Sequence, residues 1–335
     1  MKAAVLKDIG EVDVTDVPFP KIEADEVLIR VAVAGICGSD VHGFSTGLYE
    51  PGIVMGHEFS GTVADVGKEA LKFKKGDRVT SNPVLACGKC SFCKAGKFNL
   101  CDDMGTIGIT HPGAFAEFIK VPEQNVVAIG HTDFEKAAFC EPLSVVVHAC
   151  EKSGIHPAEK CLVIGGGTIG NLLTRVLKLK GVEQVVLSEP DDFRRKIAQK
   201  YADAVLNPFE TDPMDFCEKE FGQLPDVVFE CVGLPATIQE AVQDVIKGGR
   251  VIILGVSTES VEMDFLDMMY NEKAIQSVFS CTHEFMEAAD LIRSGAINPL
   301  DLATSRIALS EISGKGFKKL TGENHEIKIL VNRFV

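Results

Sequence analysis

Four of the eleven cysteines fall within fifteen consecutive positions, Cys87, Cys90, Cys93 and Cys101, in the spacing C-x2-C-x2-C-x7-C. Four thiolates on so tight a loop can close a tetrahedral shell around one zinc ion without recruiting distant chain. An iron–sulfur cluster also takes four thiolates, but no second redox centre is apparent. Lysines and turn formers fill the gaps, and the lysines soften the charge of a tetrathiolate centre. A closed four-sulfur shell leaves no place for substrate, so this ion is expected to be structural.

A second set of candidate donors is dispersed: GICGSD (35–40), GHE (56–58) and CEP (140–142). A catalytic zinc needs about three protein ligands and one exchangeable position. Cys37 follows a strand-like run, and Gly35 and Gly38 let backbone approach a metal closely. His57 and Glu58 stand beside Gly56 at the start of the next strand. Singly each signal is weak, because an isolated cysteine is usually core and a lone His-Glu pair usually surface. Their order, ahead of a four-cysteine loop and a dinucleotide motif, gives them joint weight.

That motif is GGGTIG (165–170), which holds G-x-G-x-x-G at Gly165, Gly167 and Gly170. It follows the apolar run CLVI and opens a helical stretch, the context its mechanism requires. The first glycine permits the tight turn, the second admits a pyrophosphate to the backbone, and the third packs helix on strand. The diphosphate then rests on the positive end of the helix. Glu189 closes the next strand, 19 residues after Gly170. A carboxylate there accepts hydrogen bonds from ribose hydroxyls and repels a 2′-phosphate, which favours NAD over NADP. Arg194 and Arg195 lie close by and weaken that preference.

These residues need two scaffolds. Up to about residue 140 the chain reads as β structure broken by Gly and Pro, with strands expected at 27–33, 58–66, 78–81 and 115–121. From Lys160 strand-like runs (161–165, 184–189, 204–206, 226–233, 250–256 and 274–280) alternate with helical stretches (168–180, 191–202, 213–221 and 235–247). That rhythm indicates an α/β fold with a doubly wound parallel sheet covered on both faces. A last helix near 283–294 leads to the tail EIKILVN (326–332), expected to return to the first module and make it discontinuous.

With 335 residues, 46% hydrophobic and 24% charged, the chain has the length of two globular domains. A formal charge of -14 repels phosphate backbones and anionic lipid heads, so neither nucleic acid nor a membrane surface is an expected partner. No apolar run is long enough to span a bilayer, and MKAAVLKDIGEVDV lacks the features of a secretory signal. Clustered cysteines without such a signal point to reduced, metal-binding thiols and a cytoplasmic location.

GHEFSGTVADVG (56–67), KFKKGDRV (72–79), the four-cysteine loop and GGGTIG, in that order, resemble the zinc-containing medium-chain dehydrogenases nearly end to end. The stretch FCEPLSVVVHAC (139–150) is similar to the sorbitol and polyol dehydrogenase branch. The resemblance implies a GroES-like β-rich catalytic domain (1–142 and 283–335), a Rossmann coenzyme domain (143–282), and an active site in the cleft between them. It implies two zinc ions per chain, with Cys37, His57 and Glu58 as ligands of the catalytic one. Glu141 would bind the zinc water or enter the shell itself, and the adjoining Cys140 is a less favoured third ligand. One departure stands out: sorbitol dehydrogenases tend to carry an aromatic directly after SDVH, where this chain has Gly43. That puts sorbitol in doubt and leaves sugar acids as plausible.

By the same resemblance, zinc acts as a Lewis acid on a secondary alcohol of a polyol, sugar or sugar acid, and hydride passes to the nicotinamide. Ser39 would take the first step of a proton relay, with His42 further out and Glu141 as tuner or acceptor. Glu189 and Arg194 would line the adenosine end, with Ile169 beside the diphosphate. The loops Leu254, Gly255, Val256 and Val278, Phe279, Ser280 would flank the nicotinamide. The other histidines read as core (His148) or surface. An L-threonine 3-dehydrogenase is the rival enzyme and a non-catalytic relative the rival of another class. Relatives are generally oligomeric, so a homodimer or homotetramer is expected.

Overall fold

A computed structural model describes residues 1–322 and 324–334. The chain divides into two compact units: Met1–Ser144 together with the chain from Ser280 onward, and Val145–Phe279.

The first unit is built on a seven-stranded sheet whose centre is Glu26–Gly35. The run VLIRVAV supplies β-branched residues to a strand buried along most of its length. Glu58–Val66 pairs antiparallel with it, bringing Gly35 opposite Glu58 and Ala34 opposite Phe59. On its other side Lys328–Arg333 pairs antiparallel, with Leu330 opposite Gly35. The tail therefore lies in the sheet of the N-terminal module. Phe118–Pro122 also pairs with the central strand; the expected strand at 115–121 begins three residues later, because the Phe115 N–H is given to Met55 O and Ala116 bridges Ala3. The hairpin Lys2–Asp8 and Glu11–Asp16, the strand Ala303–Ala308 and the short helix Gly38–Thr46 were not foreseen. Phe59, Phe115, Phe317, Ile29 and Met55 fill the core.

The second unit is a six-stranded, all-parallel sheet. Its strands lie side by side in the order Ala204–Leu206, Gln184–Ser188, Lys160–Ile164, Val227–Glu230, Arg250–Ile253 and Ala274–Ser277. Numbered along the chain this is 3-2-1-4-5-6, the doubly wound order with a switch point beside the first strand. Leu162, Ile164, Val186, Val228 and Val251 form its core. Helix starts follow local chemistry: Asp191, Asp212 and Asp264 each accept backbone N–H groups of the first turn. Several elements are shorter than their sequence runs. The expected strand at 226–233 stops at Glu230 because that carboxylate takes the Val232 and Gly233 N–H groups and turns the chain. The helix expected at 191–202 ends at Ala198.

Candidate active site

Strand register assembles the dispersed donors. Because Gly35 faces Glu58, the residue two places beyond one strand end (Cys37) and the residue just before the other strand start (His57) meet at the same edge of the sheet. One ligand atom each from Cys37, His57 and Glu58 lies within 4.8 Å of the others. Gly35 is required here, since a Cβ at that position would lie 2.2 Å from Glu58 Oε2. The backbone N–H of Cys37, which precedes the helix Gly38–Thr46, is held by Asp40 Oδ2 at 3.1 Å. Asp40 Oδ1 stands 3.5 Å from His57 Nδ1, and Ser39 Oγ stands 3.5 Å from His57 Nε2. The carboxylate and the serine hydroxyl thus bracket the imidazole. His42 lies further along the same helix, half-buried.

Glu141, in the first turn of the helix Cys140–Ser153, is buried. Burial pushes its carboxyl up to about 7, with His57 opposing that rise and Glu58 adding to it. For His57, burial works against the proton, but Asp40 and then Cys37 outweigh it and raise the imidazole well above its usual range. Glu58 gives both oxygens to one buried ammonium: Lys328 Nζ donates at 2.6 and 2.7 Å, and also to Ile36 O at 2.9 Å. The sequence reading missed Asp40 and Lys328. The signal for Lys328 was a lysine within the apolar run IKILV of a strand flanked on both sides. Cys140 is fully buried, its thiol pushed up to about 12 chiefly by burial.

A thiol, an imidazole and a carboxylate this close, all from buried or half-buried side chains, suit a single zinc ion. The four-cysteine loop suits a second. Cys87 and Cys93 sulfurs are 3.9 Å apart and Cys90 and Cys101 sulfurs 4.0 Å apart. Four sulfurs at a Zn–S length of about 2.3 Å stand roughly 3.8 Å from one another at tetrahedral corners. Such spacing leaves room for one ion and not for a multi-iron cluster. The backbone N–H groups of Lys89 and Cys90 hold the Cys87 thiol down at about 6. No disulfide occurs among the described residues.

The candidate coenzyme residues up to Phe279 belong to the second unit and follow the carboxyl ends of its parallel strands, while Ser280 is counted with the first unit. Gly165 leaves the strand Lys160–Ile164 at φ +100°, and a Cβ on Gly170 would lie 1.8 Å from Gly165 O. Nothing stands within 4 Å of a Cβ added at Gly167, the position expected to face the diphosphate. Ile169 is half-buried in the helix Thr168–Leu179. Glu189 is buried, with Oε2 accepting from Gly166 N–H at 2.6 Å and Oε1 from Asp191 N–H at 2.8 Å. Arg194 is half-buried in the next helix. Leu254 and Gly255 both donate to Glu230 O, and a Cβ on Gly255 would meet Gly233 N at 2.1 Å. Val256 and Phe279 are exposed, Val278 is half-buried, and Ser280 adopts φ +54°.

Fold and donor sets define a two-unit zinc-type dehydrogenase. Residues 23–131 match the alcohol dehydrogenase GroES-like domain, and residues 168–294 match the zinc-binding dehydrogenase family. Over 99% of this chain and 97% of its own length, the sorbitol dehydrogenase of Bacillus subtilis is 31% identical. An L-threonine 3-dehydrogenase of Caldanaerobacter subterraneus is 36% identical over 75% of each chain. A zinc-binding dehydrogenase of Sinorhizobium meliloti, solved bound to NADP, superposes with a TM-score of 0.93 at 33% identity, covering 99% of this chain and 98% of that one. The chain belongs to the zinc-containing medium-chain alcohol dehydrogenase family, whose members here include polyol dehydrogenases. It is an oxidoreductase of the class that acts on alcohol CH–OH groups.

Proposed function

We propose that this chain oxidises a secondary alcohol of a polyol, sugar or sugar acid with NAD as acceptor, using one catalytic and one structural zinc. The observation that carries the reading is the Cys37–His57–Glu58 donor set, with buried Glu141 joined to it electrostatically. Zinc held there would supply a Lewis acid that polarises the reacting oxygen and makes its proton easier to lose. Ser39, beside His57, is placed to take that proton first, with His42 further along the same helix. Buried Glu141, whose carboxyl burial pushes up, would steady the charge at the reacting centre.

Support for the polyol and sugar-acid class comes from FCEPLSV and from relatives. They include sorbitol dehydrogenases and a 2-dehydro-3-deoxy-L-galactonate 5-dehydrogenase of Pseudoalteromonas atlantica, 32% identical over 92% of each chain. Support for NAD comes from the buried Glu189 carboxylate at the end of the second strand, which a 2′-phosphate would have to approach. An L-threonine 3-dehydrogenase is the second reading, favoured by the relatives of that name. Measuring NADH and NADPH formation with polyols, aldonates and L-threonine separates them. Turnover of L-threonine alone would replace the first reading with the second, and turnover of nothing in the panel would remove both.

The edge strand Ala274–Ser277 is exposed throughout, and the preceding helix Phe265–Tyr270 leaves Phe265, Leu266, Met269 and Tyr270 60–76% exposed. An open strand edge flanked by apolar side chains supports a homo-oligomer that covers it. Light scattering on the purified protein tests this: a monomer at micromolar concentration would end the proposal. Among the described residues no helix is long and apolar enough to cross a membrane.

A further inference from the structure

Three buried side-chain atoms beside the Cys37 donor set lack hydrogen-bond partners: Asp40 Oδ1, His57 Nδ1 and the Tyr49 hydroxyl. A buried polar group without a partner is costly, so three together indicate a network that completes itself when the site is formed. Their chemistry is complementary. The tyrosine O–H is a donor, the imidazole N–H is a donor, and Asp40 Oδ1 has two lone pairs to accept both. The other Asp40 oxygen is already taken by the Cys37 N–H. Asp40 Oδ1 and His57 Nδ1 face each other at 3.5 Å.

Tyr49 reaches this network through a glycine. A Cβ at Gly43 would lie 2.4 Å from Tyr49 Cδ2 and 2.6 Å from Cγ, so the ring occupies the volume a side chain at 43 would need. Gly43 is three residues after Asp40 in the helix Gly38–Thr46 and so shares its face. The ring is 3% exposed, and its hydroxyl feels the charges of Asp40 and His57 and the hydrogen-bonding reach of Ser39. The missing aromatic at position 43 is therefore replaced by one that arrives from the loop after the helix, bringing a hydroxyl with it.

We infer that Tyr49 is a positioning residue for the catalytic metal site: its hydroxyl donates to Asp40 Oδ1, which accepts from His57 Nδ1–H, leaving Nε2 bare and turned to the side of Ser39. The inference rests on the catalytic-zinc reading above. Partners of this kind behind a ligating histidine typically change metal affinity about 10–100-fold when removed. The residue acts through Asp40 and touches neither metal nor substrate. Any side chain at position 43 would undo the arrangement by displacing the ring.

The test is zinc release from the full-length protein to a chromogenic chelator, with total zinc counted by atomic emission. Wild type is expected to hold two zinc ions. Tyr49→Phe, which keeps the ring and removes the hydroxyl, is expected to give up one of them at about tenfold lower chelator concentration. The four-cysteine zinc serves as the internal control and should be unmoved, with the thermal midpoint near wild type. Gly43→Ala should show the same selective loss by displacing the ring, and keeps the idea testable if Tyr49→Phe folds poorly. Equal retention of both ions by the two variants overturns the role of Tyr49, as does equal weakening of both ions. A wild type holding only the four-cysteine zinc overturns the underlying reading, and this inference with it.

Discussion

Lys328 Nζ lies 2.6 and 2.7 Å from the two carboxylate oxygens of Glu58, 270 residues away in sequence, with both side chains buried. The same carboxylate stands within 4.8 Å of the Cys37 and His57 donor atoms. Glu58 thus faces an ammonium on one side and metal donors on the other.

That relationship predicts the outcome of removing the lysine. In metal-free protein, Lys328→Met should cost about 3–5 kcal/mol, because it leaves a buried carboxylate without its partner. Chemical denaturation checks this, and the double variant Glu58→Gln with Lys328→Met should recover most of the loss. Zinc should lessen the cost of the single variant by taking over the neutralising role. A cost under 1 kcal/mol would show that Glu58 is neutralised by something else.

Cys37→Ser should reduce zinc from two ions to one per chain and bring turnover below detection. The fold should survive, since Cys37 lies two places beyond the end of a strand already fixed by pairing on both sides. Metal analysis together with circular dichroism reads both. Near-normal turnover would remove Cys37 from the ligand set.

Two glycines of the same motif should respond differently to alanine. At Gly170 the added methyl meets Gly165 O at 1.8 Å, so the second unit should lose stability by about 1–3 kcal/mol or more through overpacking. At Gly167 the space is open, so Gly167→Ala should melt like wild type. Its dinucleotide affinity should nonetheless fall about tenfold, or roughly 1.4 kcal/mol, by crowding the diphosphate. Calorimetric melting and fluorescence titration with NADH separate the two effects; equal melting losses would refute the distinction.

Asp244 gives the stability a pH dependence. Burial raises its carboxyl to about 8, with Glu240 and Asp212 adding to the rise and Lys273 opposing it. A carboxyl raised in the folded state favours folding fully below its ordinary value near 4, and that contribution is lost as pH climbs to about 8. Asp244→Asn should therefore melt above wild type at pH 8.5, by an amount equivalent to about 1–3 kcal/mol, and by much less at pH 4.5. A constant difference across that window would mean the residue does not titrate there.

Local chemistry made much of this protein legible from its residues. The four-cysteine loop brings its donors together within fifteen positions, and the glycine turn follows its strand directly, so neither needs the rest of the fold to be recognised. The alternation of Val-rich runs with helical stretches specified a parallel sheet, and its doubly wound order is the one found. Element ends were less legible where a single side chain decides them, as Glu230 does by capturing the next two backbone amides.

Only the tertiary structure placed Lys328 against Glu58, Asp40 against His57, and Tyr49 over Gly43. Each of these contacts depends on strand register or on the path of a loop, and pairing of Gly35 with both Glu58 and Leu330 sets the first of them. Sequence spacing carries no information about which residues two distant strands place side by side, because a shift of one position would turn every side chain to the other face.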